Sequence, residues 1–428
     1  MHEAFAPALG IPTMALMQRA VVVAVWASYF ALAGCGAAGT GGGGAPATAS
    51  SITQASSVSE PPSGAAPPSC TYTGAIPDTE VADPGAPHGL FVMGSFSGGS
   101  PGTFTSELVS NRDVCGADIF VNWNQVDKGP SASPRYDWSS VDQSVSPWES
   151  AGKTVNLIVW GSSEGGTTQH STPAWVESQV QMITCGGKTA PTPVFWQPGY
   201  MSNWEAFISA TVAHFNGDPH IGYIRFGIGI GGEGLASPAI RKPDCAAQWD
   251  AAGYPGAFSS YTQELIAYEG SLHSSHQLMA ALNTFDDVPV GSDTARWAAA
   301  AGIGFGFEGL QSIDASEIQR GTHCSADWCA LFGEYAGKVP LHVQTLGASD
   351  PGPGAGPVTA NANSIHTGPL PPLLGAALSL HAQIFELYPE DWELAFDPSY
   401  PGYATYHAAY SQAIDAAAAI VGVAKPTG

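Results

Sequence analysis

Basic residues are scarce: 13 Lys+Arg stand against 36 Asp+Glu among 428 residues, a formal net charge of −23. A chain this acidic offers a phosphate backbone no cationic stripe, which argues against a nucleic-acid partner. Charge of either sign is thin, at 11% of residues, whereas 44% are hydrophobic and 10% aromatic. Enough apolar surface is therefore available for a large core, and bulk disorder is excluded. There is neither a G-x-S-x-G elbow nor an H-E-x-x-H helix, so serine-esterase and zinc-peptidase chemistry lack their motifs. No His-Cys cluster has zinc-site spacing, and the glycine run "GIGIGG" (227–232) leads into "EGLASP", a loop, rather than into a phosphate-cradling helix. No metal and no cofactor is implied.

The longest apolar run, Ala20 to Gly34, follows Arg19 and has only fifteen residues. That is short for a bilayer span and right for a signal-peptide core. It ends in "LAGC", Leu32 to Cys35, which resembles the bacterial lipobox and implies lipidation of Cys35. Residues 1–35 therefore read as a lipoprotein signal peptide, with Met17 as a compact alternative start. Residues 36–69 are Gly, Ala, Ser, Thr and Pro with almost no large apolar side chain, which suits a flexible tether. One domain, 70–428, remains, expected to be monomeric, exported to the cell envelope or surface, and in touch with the membrane only through the N-terminal lipid. Its six cysteines, Cys70, Cys115, Cys185, Cys245, Cys324 and Cys329, favour disulfides in an exported chain. Pairing neighbours in sequence is the simplest of the roughly fifteen connectivities.

Within this domain, eight short apolar runs alternate with helix-compatible stretches: 89–96, 117–124, 154–161, 223–230, 277–285, 302–310, 341–347 and 382–388. Strands apolar on both faces belong to parallel sheets covered by helices, and eight strand-helix units predict a (β/α)8 barrel. An open doubly wound sheet is the alternative. The segments 171–184, 201–215, 257–273 and 404–423 carry apolar residues at helical spacing.

In a barrel of this kind, site residues lie where strands run out into loops. The runs close on Trp123, Asn124 and Gln125; Trp160; Glu233; Asn283, Asp286 and Asp287; Glu308 and Gln311; Gln344; and Glu386 and Tyr388, with Trp392 just beyond. Carboxylates and amides bind hydroxyls and indoles cover the apolar face of a sugar ring, so the set predicts a carbohydrate substrate.

The stretch 120–235 resembles clan A glycoside hydrolases, in particular beta-galactosidase-like barrels. The resemblance rests on Trp123, the run Tyr136-Asp137-Trp138 with Asp142, then Gly152 and Lys153, "TPAWV" (172–176), and the helix-then-strand layout of "WEAFISATVAHFNGDPHIGYIRFGIGIGGEG". It implies a general acid/base at the end of strand 4, which is Glu233, here preceded by Gly232 where the family commonly has Asn. It also implies a nucleophile closing strand 7, where this chain has Gln344. The second carboxylate is then Glu308 or Glu386, each a lone acid in an apolar run, with Glu308 preferred for its flanking glycines. Two functions follow: a surface-tethered glycoside hydrolase using Glu233 with Glu308 or Glu386, or a carbohydrate-binding lipoprotein on a barrel without its nucleophile.

Overall fold

The computed structural model describes residues 70, 87–94, 105–162, 171–187, 191–237, 239–240, 242–282, 291–320, 328–352 and 367–422. The signal segment, Cys35 and the tether lie outside them. Eight of the described strands form one sheet: β1 Gly89–Met93, β2 Val114–Asn122, β3 Thr154–Trp160, β4 Ile221–Phe226, β5 Gln277–Leu282, β6 Gly304–Leu310, β7 Leu341–Thr345 and β8 Ile384–Leu387. Each pairs in parallel with its sequence neighbours, and β1 pairs with β8, so the sheet closes. The chain is a (β/α)8 barrel. The open doubly wound alternative is excluded by that closure.

Alternation along each strand explains why the runs are apolar with single polar breaks. Outward residues such as Val121, Val159, Phe226, Leu282, Phe305, Phe307 and Phe385 share one large core with the surrounding helices. Inward residues Phe91, Phe120, Ile158, Tyr223, Met279 and Ile384 form a second, smaller cluster in the barrel's interior. Interleaved with these are buried polar side chains: Asp118, Asn156, Arg225, His342, Gln344 and Glu386. Pleating sends successive residues to opposite faces, so a polar residue every second position is a statement about the interior.

Helices Pro198–Phe215, Gly256–Ser271 and Tyr403–Val421 stand where helical spacing predicts them. The stretch 171–184 does not. It holds one short turn of helix, Ala174–Glu177, and then enters a two-stranded antiparallel ribbon, Met182–Ile183 with Thr192–Pro193. The physical reason is covalent: Cys185 is disulfide-bonded to Cys245 in helix Pro243–Ala251, which fixes the ribbon against that helix. A second disulfide joins Cys70 to Cys115 at the start of β2. Both sulfurs pack with the interior cluster and close the foot of the barrel. At Gly89, which starts β1 with φ +121°, a Cβ would lie 2.1 Å from Cys115 Sγ. Cys329 is also disulfide-bonded, and Cys324 lies outside the described residues.

Candidate active site

Four strands meet at the upper end of the interior around one cation. Arg225, on β4, is fully buried, with Nη1 2.9 and 3.0 Å from the two carboxylate oxygens of Glu386 and Nη2 3.0 Å from Oε1 of Glu308. Glu308 on β6 and Glu386 on β8 flank Gln344 on β7 in the strand register. Inward side chains of alternate strands share a layer in this architecture, which is why residues so far apart in sequence touch.

The two glutamates differ in what surrounds them. Glu386 is wholly buried and engaged on both oxygens: Arg225 donates to it, the Tyr223 hydroxyl bonds to it, and Nδ1 of His342 lies 3.4 Å away. Burial alone would raise its pKa, but Arg225, His342 and Tyr223 together outweigh burial and hold it below the usual range. Glu308 keeps 9% of its side chain exposed, at the rim of the mouth. Its Oε1 is within ion-pair distance of Arg225, yet among the described residues no donor is aligned on that oxygen for a hydrogen bond. Burial pushes the Glu308 carboxyl up to about 7, with Arg225 opposing and the charge of Glu386 adding to the rise.

Below this pair the network stays polar. Asp118 on β2 accepts from Asn156 Nδ2 at 2.9 Å and lies 3.2 Å from the Tyr223 hydroxyl. Burial, and then the charge of Glu386, hold the Asp118 carboxyl well above its ordinary value. Tyr223 has one proton to give, and the ionised Glu386 is the stronger acceptor. Burial lowers His342 to about 4, which leaves its imidazole neutral beside the guanidinium. Room for that ring comes from β6: a Cβ on Gly306 would lie 2.0 Å from His342 Cδ2.

Around the rim, Gln344 Nε2 donates to the Tyr388 hydroxyl at 3.4 Å, and Tyr388 stands near enough to Glu308 to feel its charge. Trp160, at the end of β3, packs edge-on to Phe120 at 5.0 Å and reaches across to the loop after β4. A Cβ on Gly232 in that loop would lie 2.6 Å from Trp160 Nε1. Glu233 follows directly and is half-buried. The loop is a tight turn: Gly231 and Gly232 have φ of +62° and +81°, the Glu233 amide donates to the Ile230 carbonyl, and the Gly231 amide donates to Ser162 beyond β3. Two successive positive φ values are what a type I′ turn demands, and glycine adopts them without steric cost. These glycines serve the backbone and the indole packing beside it.

Several residues expected at the mouth lie elsewhere. Trp123 has no exposure and is packed outside the barrel, stacked with Phe207 at 5.9 Å, with Nε1 donating to Asp127 at 3.1 Å. Pleating carries it to the helix side, one residue past the inward-outward alternation of β2. Trp392 is likewise fully buried, stacked on Phe396 in helix Pro389–Phe396. Gln311 is the N-cap of helix Ser312–Gln319, where Asp314 reaches back to its amide. Asn124 is exposed on the short helix Trp123–Val126, its amide bonded to Ser171. Asn283, Asp286 and Asp287 lie outside the described residues. Arg225, the hub of the site, is missed because a lone arginine in "YIRFGI" reads as a solvated edge residue. Its signal was the period-two spacing from Tyr223, which puts both on the inward face.

Among the described residues no cluster of three or more His, Cys, Asp or Glu could hold a metal ion. No family model matches the chain, and no characterised protein matches its sequence. Among solved structures, it is similar to the catalytic domain of beta-amylase from Paenibacillus polymyxa, with 12% identity, a TM-score of 0.48, and 76% of this chain and 98% of that one covered. It is also similar to native xylanase 10B from Thermotoga maritima, at 10% identity and TM-score 0.42 over 81% and 99% of the two chains. A third is beta-galactosidase from the psychrophilic Marinomonas ef1, at 11% identity and TM-score 0.45 over 77% and 59%.

Proposed function

We propose that this chain is an extracytoplasmic glycoside hydrolase whose general acid is Glu308. The observation that carries this reading is the pairing of reach and proton affinity at that residue: Glu308 is the glutamate of the Arg225 pair that meets the mouth, and its carboxyl titrates near neutral pH. A general acid works best with a pKa near the operating pH. Trp160, Tyr388 and Gln344 supply the indole, hydroxyl and amide that a sugar needs. Glu233, on the turn beside Trp160, is the second carboxylate. Glu386 becomes the counter-ion of Arg225, since burial keeps it from any substrate. Two disulfides suit a protein folded outside the cytoplasm, and the lipobox resemblance of Cys35 supports lipid anchoring.

The test is hydrolysis of a panel of aryl glycosides by the parent, Glu308→Gln and Glu233→Gln. Loss of a general acid costs about 10²–10⁴-fold in kcat/KM, least for the glycosides with the best leaving groups. Equal activity of Glu308→Gln and the parent on poor leaving groups would refute the assignment.

One observation favours a second reading. The end of β7, where the family resemblance puts a nucleophile, carries Gln344, and its amide is already bonded to Tyr388. A barrel that binds sugar without cleaving it would show saturable binding to oligosaccharides by calorimetry and no turnover on any aryl glycoside.

A further inference from the structure

We infer that Glu386 is a positioning residue that takes up the charge of Arg225 and so keeps Glu308 in its acid form at neutral pH. This rests on the reading of Glu308 as the general acid. The geometry is asymmetric. Nη1 of Arg225 contacts both oxygens of Glu386 in hydrogen-bond alignment, at 2.9 and 3.0 Å. Nη2 meets Glu308 at 3.0 Å without such alignment. One guanidinium thus serves two carboxylates and is bonded fully to one.

The other groups around Glu308 reinforce the division. From β7, Gln344 is uncharged and His342 is neutral; from β5, the inward residues Met279 and Ala281 carry no charge; beyond β8, Tyr388 is a phenol whose pKa is raised by burial and by Glu308 itself. On the far side of Glu386, the Tyr223 hydroxyl donates to it, and burial together with the charge of Glu386 raises the Asp118 carboxyl. Of these groups, Arg225, which favours its ionisation, and Glu386, which opposes it, carry full charges. Ionising Glu308 as well would put two negative charges on one cation in a buried site, where like charges disfavour each other strongly.

Removing the charge of Glu386 frees Arg225 for Glu308. In Glu386→Gln the titration midpoint of Glu308 is expected to fall by at least about one pH unit. The midpoint is read on the full chain from the pH dependence of the protonated-carboxyl infrared band, assigned by its loss in Glu308→Gln. Where there is turnover, the alkaline limb of kcat/KM moves down with it, because the acid form is the active one. The charge-keeping Glu386→Asp leaves the midpoint nearer that of the parent. An unchanged or raised midpoint in Glu386→Gln overturns the inference.

The double variant Arg225→Met/Glu386→Gln covers the case in which Glu386→Gln does not fold, since it leaves no unpaired buried ion. It removes the cation together with the carboxylate that takes up its charge, so the Glu308 midpoint should stay within about one pH unit of the parent's; a larger rise would show Arg225 acting unshared on Glu308 and overturns the inference too. A parent inactive on every glycoside that still shows the shift in Glu386→Gln would defeat the hydrolase reading and leave the charge coupling standing.

Discussion

At Asp127 a single carboxylate gathers the end of β2, the loop after it and an aromatic cluster. It is buried, accepting from Trp123 Nε1, from the Gly129 amide and from Arg135 through two nitrogens at 3.0 and 2.8 Å. Arg135 in turn lies over the rings of Tyr136 and Trp175, 4.9 and 5.3 Å from their centroids. Asp127→Ala leaves a half-buried guanidinium and a buried indole without their acceptor. Breaking such a pair costs on the order of 3–5 kcal/mol, which urea unfolding would measure as a lower midpoint with an unchanged m-value. The carboxylate of Asp137, nearby in sequence and exposed, accepts from Ser139; its alanine variant should leave the urea midpoint close to that of the parent. The sequence resemblance drew on Asp137, while the structural weight falls on Asp127, which has no distinguishing pattern. Partners contributed by a loop eight residues away in sequence are invisible to a local reading.

Among the elements, the turn after β4 separates two causes that composition merges. Gly231 has open space where a Cβ would go, so Gly231→Ala meets only the cost of a positive φ, roughly 1 kcal/mol. Gly232→Ala meets the same backbone cost and also drives a methyl into the Trp160 indole. The second variant should therefore be the less stable and should shift the tryptophan emission and raise KM for sugars, whereas the first should leave KM alone. Equal KM values for the two would show that Trp160 does not touch substrate. The strands were legible because their runs share one pattern: apolar on both faces, broken by single polar residues on the inward one. All eight runs were placed, with ends that differ by a few residues, because strand ends depend on pairing partners that only the closed sheet supplies. Facing direction was harder. Trp123 and Trp160 each end a run, and a single step along the pleat sends one to the helices and the other to the interior.

At the scale of the whole molecule, buried ionisable groups set a pH window. Glu308, Asp314 and Asp391 are each pushed up to about 7, chiefly by burial. Their folded-state pKa lies above the unfolded value near 4, so the stability they contribute is complete below that pH and is lost as pH rises through about 7. His342 works oppositely: its folded pKa of about 4 lies below its unfolded value, so stability falls as pH drops from roughly 6.5 towards 4. With three carboxyls against one imidazole, calorimetry should find Tm still rising as pH falls from 8 to about 4.5, and lower at pH 8 than at that maximum by at least about 5 °C. Asp391→Asn should flatten the alkaline side of that curve. Asp391 accepts from the amide of Ser349, and Ser349 bonds on to Tyr410 in the last helix, so the loop after β7 is tied to the far end of the chain. Composition announced an acidic protein, yet these protons sit on three interior carboxyls that a count of charges cannot distinguish from the solvated ones.

The disulfide at the foot of the barrel also settles a direction. Cys70 is held by Cys115 at the start of β2, and Cys115 Sγ lies 3.6 Å from the Gly422 carbonyl at the end of the last helix. Cys70 therefore lies at the pole opposite Glu308. That pole is closed by the disulfide and the last helix, so the end of the barrel open to a ligand is the one that carries Glu308.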